Sequence, residues 1–233
     1  VVSSNSQVST GRPCFATPAG KLTGYLAHPS DSERHPAVLV IHENTGLNSH
    51  IEKVVQRFAE EGFVAFALDA LALQGGTPED EDEARAAIGG LNSDENLNNY
   101  LVSLDYLRHL PGSNGKVASV GFCWGGKVSG ELAVADQNLD AAVIYYGKSP
   151  DSSQVPAINA PLLLHYGEQD ERINATVPDF KAALEKHGKR FSLHMHKGAG
   201  HAFNNETRAD RYEPNAAAES WKLTIAFLRS ELA

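Results

Sequence analysis

The chain has 233 residues, with 20 lysines and arginines against 29 aspartates and glutamates, a formal net charge of −9, and 42% hydrophobic residues. This balance suits a globular enzyme or binding protein and excludes a nucleic-acid partner, which needs a basic face against phosphate. No apolar run approaches the roughly 20 residues of a membrane helix, so no membrane partner is expected either. Cys14 and Cys123 are too few for a disulfide framework and read as free thiols. The chain opens on Val1, not Met, so a removed tag or export signal is expected, which leaves cytoplasm and periplasm both open.

Residues 1–10 are Ser-rich and non-periodic and read as a loose arm ahead of a single domain over residues 11–233. Residues 14–27 suit one or two antiparallel edge strands. Residues 37–42 form a buried strand, and Ile51, Val54, Val55 and Phe58 then line one stripe of a helix over residues 50–62. Residues 63–68 are the next strand. A short acidic helix follows over residues 79–88, with Thr77 placed to cap it and Pro78 at its first position. Leu97, Leu101, Leu104 and Leu107 line a longer helix after Asn92.

The alternation repeats downstream. Strands are expected at 116–120, 141–146, 161–166 and 191–196, and helices at 125–136, 177–187 and 216–232. Near-continuous apolar strands alternating with helices predict an α/β fold: a mostly parallel central sheet with helices on both faces, a three-layer sandwich. Functional loops then belong at the carboxyl ends of the strands.

One such strand end carries Gly121-Phe122-Cys123-Trp124-Gly125-Gly126. Strand, tight glycine-flanked turn and helix together match the G-x-S-x-G nucleophile turn, with cysteine in place of serine. Residues two before and two after the nucleophile must lack bulk for the turn to close. The helix N-terminus beneath Cys123 favours a thiolate, which predicts a thiol more acidic than free cysteine.

A nucleophile also needs a base and a group to orient that base. Asp170 follows the strand at 161–166, and His201 sits in a glycine-flanked loop after the strand at 191–196. The order nucleophile, acid, histidine is the one this architecture uses. His165, His194 and His196 lie within strands and read as packed or edge residues, whereas His42 ends a strand near the site. The loop His42-Glu43-Asn44 offers a backbone N–H to an oxyanion, with the Trp124 N–H as second donor. Glu43 is a carboxylate near the thiol and is expected to oppose its ionisation. Tyr145 and Tyr146 are expected along the acyl pocket.

These segments together resemble the dienelactone hydrolase family of α/β-hydrolases. The matching residues are His42-Glu43-Asn44, Gly121 to Gly126, Tyr145-Tyr146-Gly147, Asp170 and His201-Ala202-Phe203. The resemblance runs from about residue 18 to 228. It implies a carboxymethylenebutenolidase-type ester hydrolase with a Cys123–His201–Asp170 triad acting on an enol-lactone, and Glu43 as a switch for the thiol. It also implies arginines for a substrate carboxylate, one just after the histidine. That place holds Asn204 or Asn205 here, with Arg172, Arg208, Arg211 and Arg85 as nearby cations and Arg172 the one expected to bind substrate.

Two other classes share part of the pattern. A thiol amidotransferase-like enzyme also uses G-x-C-x-G, but its acid sits two residues after the histidine, where this chain has Phe203. A non-enzymatic or redox protein with a reactive thiol would want a resolving cysteine, for which Cys14 is the candidate. The expected partner is a small-molecule ester or lactone, taken by a monomer or small homo-oligomer, with no cofactor and no metal. His194 and His196 share a strand face but lack a third ligand at suitable spacing.

Overall fold

The structure is a computed structural model that describes residues 7–233. Contacts within it gather into two compact units, one made of residues up to Val40 with Thr45–Val117, the other of Ile41–Asn44 with Ala118–Ala233. The boundaries fall within two strands and not in a linker.

The first unit begins with three antiparallel strands, β1 (Val8–Gly11), β2 (Cys14–Thr17) and β3 (Gly20–Pro29), with β1 and β2 both paired to β3. The loose arm expected over residues 1–10 therefore ends in a strand. Val8, Ser9 and Thr10 pair with Pro29, His28 and Ala27, because a polar, half-exposed edge strand needs no apolar periodicity. The rest of that arm, residues 1–6, lies outside the described residues. Next come β4 (His35–Ile41), α1 (Ser49–Glu60) and β5 (Val64–Leu68), with β4 and β5 parallel and β3 antiparallel to β5. Helix α1 presents Ile51, Val54, Val55 and Phe58, all essentially inaccessible, to β3 and β5. Asn48 caps it, its Oδ1 accepting from the Ile51 N–H.

Helix α2 (Glu81–Gly89) starts later than its sequence suggests. Its cap is Asp80, whose Oδ1 accepts from the Asp82 and Glu83 N–H groups, while Thr77 is occupied elsewhere. Thr77 donates to Asp69 and accepts from the Leu47 N–H, so it ties a loop together. Helix α3 (Ser93–His109) is capped by Asn92. Its buried face is rotated from the leucine stripe: Leu104 and Leu107 are inaccessible, but so are Tyr100 and Ser103, with Asn96 and Asn99 nearly so. The Ser103 hydroxyl satisfies itself by donating to the Asn99 carbonyl, which permits a polar residue on the packed side.

The second unit holds four parallel strands in sequential order: the end of β6 (Ser113–Phe122), β7 (Ala141–Tyr145), β8 (Leu162–Gly167) and β9 (Phe191–His196). Between them run α4 (Trp124–Ala135), the one-turn α5 (Glu171–Asn174) and α6 (Val177–Lys186), and α7 (Pro214–Glu231) closes the chain. Helix α4 packs on β7, and α7 on β7 and β8. No helix among the described residues is long and apolar enough to cross a membrane.

Candidate active site

The site is built where β6 turns into α4. Cys123 is the residue between them and takes φ 55°, ψ −113°, a left-handed conformation that a side chain tolerates only when its surroundings impose it. The neighbouring glycines explain how. A Cβ on Gly121 would lie 1.9 Å from the Gly125 carbonyl oxygen, and one on Gly125 would lie 2.3 Å from the Ile41 oxygen, so the turn closes only without them. The Cys123 N–H donates to the Tyr145 carbonyl at 3.0 Å and pins the turn to the end of β7.

Among the described residues three non-glycines have positive φ: Cys123, Tyr146 at 38° and Ala202 at 64°. All three belong to one place. The Tyr146 ring meets the His201 ring edge-on at 5.3 Å, and Ala202 follows His201 directly. Strained backbone is concentrated around one sulfur and one imidazole.

The loops after β8 and β9 bring the other two groups in. They are laced together by Glu168 N–H to the His196 carbonyl (3.0 Å), Gln169 N–H to the Ala199 carbonyl (2.9 Å), and Gly198 N–H to the Glu168 carboxylate (2.9 Å). Asp170 caps α5 with one oxygen and holds His201 with the other: Oδ1 accepts from the Ile173 N–H, and Oδ2 lies 2.5 Å from His201 Nδ1. The far ring nitrogen, Nε2, stands 3.0 Å from Cys123 Sγ. A sulfur, an imidazole and a carboxylate thus form one hydrogen-bonded line, with Asp170 buried and His201 partly open.

The backbone N–H groups of Trp124 and Asn44 both face the sulfur and favour its ionised form, as does the charge of Arg172. They do not prevail. Burial, and then the Glu43 carboxylate, push the Cys123 thiol up to about 11. The acidic thiol expected from the helix N-terminus is therefore corrected, because the helix end and two amides are outweighed by desolvation and a neighbouring anion.

Glu43 is itself buried, which raises its carboxyl above the usual range, against the donor of Asn205 and the charges of His201 and Arg208. Asn205 Nδ2 donates to Glu43 Oε2 at 2.7 Å, and the Tyr146 hydroxyl lies 3.5 Å from Oε1. The His42 ring, stacked on Trp124, is bonded at Nδ1 to the Glu43 carbonyl oxygen at 2.7 Å and holds this loop.

The remaining expected residues fall differently. Like Tyr146, Tyr145 is inaccessible and so no open pocket wall, and its hydroxyl is spent on Thr224 Oγ1 at 2.7 Å. Alternation along β7 sends its ring toward Phe122 and His165. Arg85 is held on α2 by Glu81 and Asp82. His165 and His196 are packed, as their strand positions suggested, and bond each other at 3.0 Å. A cleft of about 310 Å3 opens on His201, lined by Gln169, Gly198, Gly200 and the segment from Asp210 to Glu213.

A sequence model of the dienelactone hydrolase family matches residues 22–232, nearly the length of the chain. The chain belongs to the dienelactone hydrolase family. As a dienelactone hydrolase family member it is a hydrolase on an α/β-hydrolase fold. It is 36% identical over 227 residues to "Protein usf" of Aquifex pyrophilus, covering 91% of this chain and 94% of that protein. It is 33% identical over 221 residues to a protein of Aquifex aeolicus named "Putative carboxymethylenebutenolidase", again covering 91% and 94%. A solved structure titled "Putative Dienelactone Hydrolase", from Klebsiella pneumoniae, superposes with TM-score 0.85 at 26% identity over 94% of this chain and 98% of that one.

The contact that sequence reasoning missed is the one to Glu43. Asn204 or Asn205 was considered only as standing where the resemblance implies an arginine for a substrate carboxylate, and Asn205 touches the Glu43 carboxylate instead.

Proposed function

We propose that this protein hydrolyses a carboxylic ester or enol-lactone through a thioester on Cys123. The observation that carries the reading is the 3.0 Å approach of His201 Nε2 to Cys123 Sγ, with Asp170 behind the ring. The thiol proton passes to His201, with Glu43 as the alternative acceptor, and the sulfur attacks the carbonyl carbon. The N–H groups of Asn44 and Trp124 receive the developing oxyanion, in keeping with their direction toward the sulfur. The C–O bond breaks, and the leaving oxygen takes its proton from the imidazolium, or departs as an enolate while the imidazolium gives that proton to solvent, so that His201 is neutral again. His201 then removes a proton from water, the hydroxide attacks the thioester, and the carboxylic acid leaves as the thiol re-forms.

A thiol pushed up to about 11 by burial and by the Glu43 carboxylate is quiet at rest, so the reading gives Glu43 a second task. Its charge adds to burial in keeping Cys123 protonated until a substrate fills the site. An enol-lactone suits this chemistry because its leaving group is a stabilised enolate, and the lactone implied by the name of the Aquifex aeolicus relative is the same class.

Replacing Cys123 with alanine and assaying p-nitrophenyl acetate alongside an enol-lactone tests this. Hydrolysis of both is expected to fall to background, and intact mass after mixing the parent with ester should show an acyl group confined to the Cys123 peptide. Undiminished turnover by the variant would end the proposal.

A further inference from the structure

Glu43 is a buried carboxyl group beside a thiol, and something must decide which way it points and how readily it holds a proton. Its Oε2 accepts from Asn205 Nδ2 at 2.7 Å, and Asn205 is only 2% exposed. A carboxamide alone does not guarantee a donor there, because a flipped amide would turn its oxygen toward the carboxylate. The flip is opposed on the other side. Asn205 Oδ1 accepts from the Thr207 N–H at 3.0 Å, a donor that an inverted NH2 group would have to face, and also from the Thr207 hydroxyl at 2.7 Å. The Asn205 N–H closes back on the Ala202 carbonyl at 3.0 Å, so the clamp stands on the loop that carries His201.

We infer that Asn205, locked by Thr207, is a positioning residue that holds Glu43 against the thiol and thereby sets how reactive Cys123 is at rest. The inference deepens the brake assigned to Glu43 in the proposed function and rests on that reading. Asn205 contributes no charge of its own, so the nearest donor to the carboxylate is a neutral one, with the Tyr146 hydroxyl farther off at 3.5 Å. The other groups facing Glu43 are Tyr146 from the end of β7, His201 and Arg208 from the loop before α7, and Cys123 itself. Arg172, on α5, faces the sulfur. The Asn205 donor favours the charged form of Glu43, so removing it makes Glu43 harder to ionise and the thiol feels less negative charge. Adding a carboxylate at the same place has the opposite effect, because two acids in contact share one proton and the second charge, once formed, opposes the thiolate.

The test follows alkylation of Cys123 by iodoacetamide against pH, read on its own peptide by mass spectrometry, because Cys14 is exposed and also reacts. Asn205→Leu is expected to move the profile to lower pH and Asn205→Asp to higher pH, each by about one unit. Thr207→Val keeps the backbone donor and loses the hydroxyl, so its shift should match that of Asn205→Leu in direction and be smaller. In a Glu43→Gln background the Asn205→Leu shift should vanish. Profiles that superimpose on the parent, shifts of the same sign in Leu and Asp variants, or a Leu shift that survives Glu43→Gln would each overturn the inference. The readout needs no turnover, so its failure is separable from that of the hydrolytic reading, which stands or falls on Cys123→Ala.

Discussion

Asp170 divides its two oxygens between the helix it caps and the imidazole it orients. Asn in its place keeps the shape, but its NH2 group can donate to His201 Nδ1 and leave the proton on Nε2, where no proton can then be taken from sulfur. Asp170→Asn is expected to lower kcat/KM for p-nitrophenyl acetate by about 10²–10⁴. The thermal midpoint should move only a few degrees. An equally large loss of stability would mean that Asp170 acts through the fold. The same residue shows why the site could be assembled from a linear pattern. Each of Cys123, Asp170 and His201 sits just past an apolar strand, and parallel strands deliver their ends to one edge. What that logic missed is burial: together with the Glu43 charge that was expected to oppose ionisation, desolvation of Cys123 reverses the acidity its helix end suggested.

The elements were recoverable where one property repeats. The stripe of α1 and the apolar runs of β4, β5, β7 and β8 are buried as their sequences imply, since burial of apolar surface is what the pattern encodes. Helix starts were harder, because several residues compete to cap. Thr77-Pro78 looked like the start of α2, yet the Thr77 hydroxyl is more strongly engaged by Asp69 and Leu47, and Asp80 takes the role. Asn92→Ala should cost about 1 kcal/mol in urea unfolding, because α3 loses the acceptor for the Asp94 and Glu95 N–H groups. Thr77→Ala should cost a comparable amount without changing α2 itself, since the loss falls on the 69–77 loop. A drop in helical circular dichroism with Thr77→Ala would restore it as the cap.

Across the fold, stability should depend on acid through two buried histidines. Burial, followed by the neighbouring His196 and His194, holds His165 well below its usual 6.5, and burial lowers His196 as well. Above pH 6.5 folded and unfolded chains are both neutral at these positions, and the contribution is fully present. As pH falls below that value the unfolded chain takes up protons that the folded chain refuses, so stability declines toward the lowered folded values. Glu43 works the other way: its raised carboxyl favours the fold at low pH, and that contribution fades as pH rises above 4.5. Urea midpoints should therefore fall from pH 7 to pH 5 in the parent. In His165→Gln they should be lower at pH 7 and fall less, a comparison that removes the Glu43 contribution because both chains carry it. Equal declines would exclude His165 as the sensor.

Strand and helix alternation, the glycine-bounded cysteine turn, and the order of the three chemical groups were written in local pattern, because a tight turn or a buried strand constrains which residues it can contain. Partnerships between distant positions were not. That Asn205 meets Glu43, that Thr207 fixes the face it shows, and that Tyr145 spends its hydroxyl on Thr224 all depend on side chains converging from separate segments. No spacing encodes such meetings. They are set when packing excludes water and every buried polar group must find its partner inside.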